Sequence, residues 1–134
     1  MSLMATPKSP GTITGVVAER LAEEADRIAA MQQALLAELA KMDLMEQGSG
    51  IIDAFDVAEI RIDPYDQTES LQCYWKTPLG MNQGSMQLRP GGQLFAEYDV
   101  LCVHPQKPAW FIEAVTGWGR PGAIRTELRL IPLP

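Results

Sequence analysis

The chain is short of the residues that most active sites need. It has one histidine, His104, and two cysteines, Cys73 and Cys102. Two cysteines do not make a disulfide framework. Each falls inside an apolar run, where a free thiol packs as a small hydrophobe. A metal site needs three or four ligands of matching type, and one histidine with two cysteines about thirty residues apart does not supply them. No metal and no cofactor is expected. Phosphate-cradling motifs are missing as well. "RPGG" and "GWGRPG" lack the Lys-Ser/Thr of a P-loop, and no serine sits in a nucleophile elbow. The reading therefore leans away from an enzyme.

Positive charge is scarce: 11 Lys and Arg face 17 Asp and Glu, a net charge of −6. That opposes non-specific binding to nucleic acid or to anionic membrane, where basic side chains supply the affinity. No apolar run approaches the roughly 20 residues that cross a bilayer. The opening "MSLMATPKSPGTITG" has no apolar core of a signal peptide. The expectation is a reduced, cytoplasmic protein with no nucleic-acid and no membrane partner. The charge is also uneven. Residues 19–69 hold 13 acids against 4 bases, and residues 70–134 hold 4 acids against 6 bases. Such asymmetry orients self-association or attracts a basic partner, or it serves solubility alone.

Residues 1–12 read as a flexible tail, with residues 1–3 a cloning scar, and residues 13–134 as a single domain. Glycine and proline are absent from residues 16–47, "VVAERLAEEADRIAAMQQALLAELAKMDLMEQ", which is rich in good helix formers. Leu21, Ile28, Leu35 and Met42 recur every seven residues, with Met31, Leu39, Ala25 and Met45 beside them. That is the apolar stripe of one amphipathic helix, stopped at "QGSG" with Gly48 in the left-handed cap position. A straight helix of this length reaches about 48 Å, so it either kinks or projects toward a partner. The stripe has two possible uses, packing on the protein's own sheet or a homodimer seam through Leu21, Ile28, Met31, Leu35, Leu39 and Met42. Glu24, Gln32 and Glu38 intrude on that seam, which weakens a regular coiled coil.

After Gly50 the apolar period changes to two. "AFDVAEIRIDP", "ESLQCYWKT", "GSMQLR", "QLFAEYDVLCVH", "AWFIEAVTGW" and "AIRTELRLI" read as six strands, the first with a phase slip near Ala58 that suggests a bulge. Short turns such as "PGG" and "GRPG" imply hairpins and an antiparallel meander. The expected class is α+β: one long N-terminal helix, then about six strands in a curved sheet or partly closed barrel packed on it.

"DVLCVHP" carries Cys102 and His104 two residues apart on one strand, with Cα atoms about 6–7 Å apart. That is too far for a thiol–imidazole pair unless the side chains lean together. Cys102 is expected in the core and His104 at a partly exposed strand end. Candidate polar groups for a site are Asp99, His104 and Glu113, since pairing of their strands would bring Asp99 or Glu97 toward Glu113. Trp75, Trp110, Trp118 and Tyr98 are the candidate walls of a pocket. Asp63, Asp66 and Glu69 read as a solvated acidic turn, and Arg120, Arg125 and Arg129 as a basic edge. Two functions follow: a non-enzymatic protein-interaction or adaptor module acting as a homodimer, or a small-ligand module or enzyme with a pocket in the concave face of the sheet.

Overall fold

The computed structural model describes residues 13–134; the expected tail at 1–12 lies outside them. Two helices, α1 (Gly15–Glu23) and α2 (Ala25–Ala40), lead through a 3-10 segment (Met45–Ile52) into six strands. These are β1 (Val57–Ile62), β2 (Glu69–Lys76), β3 (Asn82–Leu88), β4 (Leu94–Val103), β5 (Trp110–Gly119) and β6 (Arg125–Pro132). Every strand pairs antiparallel with its sequence neighbour, in the order β1 to β6. The class is α+β with a meander sheet, as the change of period implies.

One long helix is not what forms. The chain breaks at Glu24, whose backbone leaves the helical region (φ −96°, ψ 6°). It stops again at Asp43, which takes a left-handed φ of 57°. There Leu44 N–H bonds the Leu39 carbonyl at 2.9 Å and Asp43 N–H bonds Ala40 at 3.3 Å. This is the paired closure of a left-handed C-terminal cap, with Leu44 folded back near Leu39. Gly48 is therefore not the cap. It is buried against α2, where a Cβ would strike Leu39. The physical reason for the breaks is length. The 10-residue strand β5 is about 33 Å long, and a straight helix of about 48 Å would overhang the sheet that buries its stripe.

The sheet is open, not a closed barrel, with β1 and β6 as its two edges. Its inner face is already filled. Met31, Leu35 and Leu39 of α2 are fully buried with Leu71, Trp75, Met86, Ile112 and Val115, which leaves no room for the edges to meet. Gly117 admits the helix: a Cβ there would lie 2.6 Å from Met31 Sδ. The polar residues that interrupt the stripe each have a bond within the chain. Glu24 pairs with Arg27. Gln32 donates to the Ile51 carbonyl at 2.9 Å. Glu38 accepts from Thr126 Oγ at 2.7 Å.

The 3-10 segment is pinned by aromatics. Trp75 Nε1 donates to the Asp53 carbonyl at 3.1 Å, and the Trp75 ring meets Phe55 at 4.9 Å and Tyr98 at 5.4 Å between centroids. Strand β1 pairs with β2 without a register shift, so the slip near Ala58 is no bulge; Ala58 simply packs partly on the core. The irregularities lie elsewhere, between Trp75 and Lys76, Asp99 and Cys102, and Ile112 and Ala114.

Candidate functional site

Cys102 lies opposite Ile112 on the helix side of the sheet, and burial pushes its thiol up. Cys73 is wholly buried, and burial pushes its thiol up to about 12. Neither resembles an activated nucleophile, which needs a thiolate. His104 is only 5% exposed, which corrects the expected partly exposed strand end. The β4–β5 loop folds over the ring. His104 Nδ1 accepts the backbone N–H groups of Gln106 and Lys107, both at 3.1 Å. That places the ring proton on Nε2. Among the described residues no hydrogen bond joins His104 to Cys102. The histidine is the organising centre of a loop.

The candidate pocket walls do not converge on one cavity. Trp75 and Tyr98 are buried against each other, and Trp75 against Phe55 as well. A backbone hydrogen bond ties Tyr98 to Gly50, and burial and the Asp53 charge hold its phenol above the ordinary value. Trp110 opens β5 and is 38% exposed, while Trp118 is half-buried opposite Phe95. The helical stripe divides too. Met31, Leu35 and Leu39 have no exposed surface to offer a second chain. Leu21 and Ile28 line an open groove of about 470 Å³ with Ile13, Ala25, Ile52 and Phe55, and Met42 packs partly on the core.

The face of the sheet turned away from the helices gathers more. Across β4, β5 and β6 the register sets four rows there: Phe95–Trp118–Arg125, Glu97–Thr116–Glu127, Asp99–Ala114–Arg129 and Val103–Phe111–Ile131. Successive rows lie about 7 Å apart. The last row is apolar and the first is apolar but for Arg125, with Phe95 exposed at 38%, Val103 at 50% and Ile131 at 41%. Leu101 adds to the last row. It takes a left-handed φ of 53° within the β4 irregularity, a conformation uncommon outside glycine, and stands 58% exposed.

Charge fills the middle. Arg129 bonds Glu97 Oε2 at 2.7 Å and Glu113 Oε1 at 3.5 Å. Glu113 reaches it because β5 carries one residue more than β6 between Ile112 and Ala114, so the strand's alternation changes phase. Trp110 and Ile112 consequently face the helix side, whereas Ala114, Thr116 and Trp118 face away. Asp99 sits in the same row as Arg129. Burial holds its carboxyl above the ordinary value, the Glu97 and Glu113 charges act the same way, and Arg129 opposes them. So Glu97, Asp99 and Glu113 do share a face, as pairing of their strands implies. Sequence reasoning missed Arg129 as their common partner, and it missed Leu101, because an added residue in a strand leaves no mark on composition.

Among the described residues no group of three or more His, Cys, Asp or Glu is placed to hold a metal ion. Asp63 and Asp66 serve their own turn: Asp63 accepts Tyr65 N–H at 2.8 Å and Asp66 accepts Thr68 N–H at 3.0 Å. No helix among the described residues is long and apolar enough to cross a membrane. No protein-family model matches the sequence, and no curated protein and no solved structure is similar enough to count as a match.

Proposed function

We propose that this protein is a non-enzymatic interaction module that works as a homodimer, and that two copies meet through the uncovered face of β4, β5 and β6. The observation that carries this reading is the exposed apolar row Val103–Phe111–Ile131 with Leu101 beside it. The face complements itself in part. A two-fold axis along β5 lays Asp99 of one copy over Arg129 of the other and Val103 over Ile131, an isologous contact. The same axis lays Glu97 over Glu127, which weakens it. Three strands spaced about 4.8 Å apart and about 33 Å long offer roughly 480 Å² of flat sheet per copy. Two copies then bury about 950 Å², just under the roughly 1,000 Å² that a stable specific interface clears. The dimer is accordingly weak and concentration-dependent.

The non-enzymatic reading rests on how the reactive side chains are used. The thiols pack as hydrophobes, the imidazole organises a loop, and the carboxylates surround an arginine. Free thiols suit a reducing cytoplasm. A small-ligand module with its pocket beneath the sheet has less support, because Met31, Leu35, Leu39 and Trp75 fill that space.

The test is sedimentation velocity across a range of concentrations, with wild type beside Ile131→Glu. Wild type is expected to shift from monomer to dimer with concentration, and Ile131→Glu to remain monomeric. Ile131 is 41% exposed, so its replacement leaves stability within about 0.5 kcal/mol, checked by thermal melting at low concentration. A wild type that stays monomeric throughout overturns the dimer. A dimer that survives Ile131→Glu rejects this face.

A further inference from the structure

Four of the seven arginines gather around the β3–β4 turn, Pro90–Gly92. Arg20, Arg27 and Arg89 line a cleft of about 470 Å³ with Glu24 and Glu69, floored by the buried Leu71 and Leu88. Arg120 belongs to the same cluster: its Nη2 lies 3.9 Å from the position a Cβ would take on Gly91. Arg27 Nη1 lies 3.6 Å from the corresponding position on Gly92. Gly91 and Gly92 both have positive φ, 74° and 81°, and without side chains they let guanidinium groups close on the turn.

The charges there do not balance. Three guanidinium groups line the cleft with two carboxylates, and Arg120 stands beside the turn, in a chain whose net charge is −6. Arg27 is engaged by Glu24. Arg20 reaches Glu69 only at 3.7 Å, with both side chains substantially exposed, so that pair is loose. Arg89 spends Nε and Nη2 on the neutral Gln87 Oε1, at 3.2 and 3.0 Å. Among the described residues neither Arg89 nor Arg120 makes an ion pair.

We infer that this cleft binds a small organic oxyanion, carboxylate or phosphate, whose apolar part rests on Leu71 and Leu88. Guanidinium forks match both anions in geometry, and no lysine lines the cleft. A cleft of this volume suits a small molecule, whereas the acidic remainder of the chain repels a polyanion such as nucleic acid. Glu69 occupies Arg20 until the ligand anion displaces it. This binding does not depend on dimerisation.

The experiment is a calorimetric and NMR titration of the full chain with phenyl phosphate and, separately, benzoate. Potassium chloride at matched ionic strength and phenol are the controls. The expected result is saturable binding of at least one of the two anions, with amide shifts centred on Gly91 and Gly92. The tighter of the two identifies the anion class. Arg89→Gln is expected to weaken binding about tenfold. Glu69→Gln, which frees Arg20, is expected to tighten it several-fold. The Glu69 arm guards against misfolding, since a damaged fold cannot bind more tightly. No saturable binding of either anion, shifts that chloride reproduces, or affinities unchanged in both variants would each overturn the inference.

Discussion

The two faces of one sheet are built on different rules. The face under α2 is a packed interior where volume decides everything: Met31 against Gly117, Leu39 against Gly48, Trp75 between Phe55 and Tyr98. The opposite face tolerates exposed Leu101, Val103 and Ile131 and holds its charges around Arg129. The first face is fixed by the chain itself, whereas the second is stable as it stands yet remains available to something else.

Substitutions sharpen this contrast. The largest effect belongs to the covered face. Trp75→Ala empties a fully buried ring site and removes the bond to the Asp53 carbonyl, at an expected cost of about 3–5 kcal/mol in denaturant unfolding. A loss below about 1 kcal/mol, the scale of a surface change, would mean that the aromatic cluster does not hold the 3-10 segment.

An intermediate effect belongs to His104, at the end of β4 where the two faces meet. His104→Ala strips Gln106 and Lys107 N–H of their shared acceptor, and about 1–3 kcal/mol is expected to go. Hydrogen exchange would show the loop opening first. Uniform protection across the loop in the variant would contradict its organising role.

The smallest effect, and the one opposite in sign, is on the uncovered face. The Asp99 carboxyl is held above its ordinary value by burial and by Glu97 and Glu113. The folded state therefore holds that proton more tightly than the unfolded chain, and ionising Asp99 costs stability as pH rises through the two values. Asp99→Asn should slightly raise the melting temperature at neutral pH and make no difference in acid, where the carboxyl is protonated in both states. The position is partly exposed, so solvent keeps the effect small. A variant that melts lower at neutral pH would show that Asp99 is held by attraction instead.

The sequence foretold the covered face better than the other. Ile124, Thr126, Leu128 and Leu130 alternate in "AIRTELRLI" because half of β6 must face the core, and period two records that requirement. The six strands and their turns were legible for the same reason. The helix was overextended because residues 24 and 43 look helical by composition. What stops the chain there is the finite length of the sheet, a tertiary fact that local propensity does not contain. The phase change at Glu113 was invisible for a related reason. It arises from β5 and β6 differing by one residue across the pair, and neither strand shows it alone. Hence Trp110 and Trp118, eight residues apart, end on opposite faces. The separation of Cys102 from His104 was legible as simple strand geometry. The burial of His104 was not, because the loop that covers it has no period to read.

The order of elements along the chain also has a consequence during synthesis. The apolar stripe of α2 is complete at Ala40 and the 3-10 segment packs on it at once, but most of its cover from the sheet begins only at Trp110. At about 5–20 residues per second, that wait of about 70 residues lasts roughly 4 to 14 s. For that time Met31, Leu35 and Leu39 have only the 3-10 segment to pack against and lack the sheet. Glu23, Asp26, Arg27 and Lys41, on or beside the same helix, then act as its solubilising coat while the ribosome is still making the sheet.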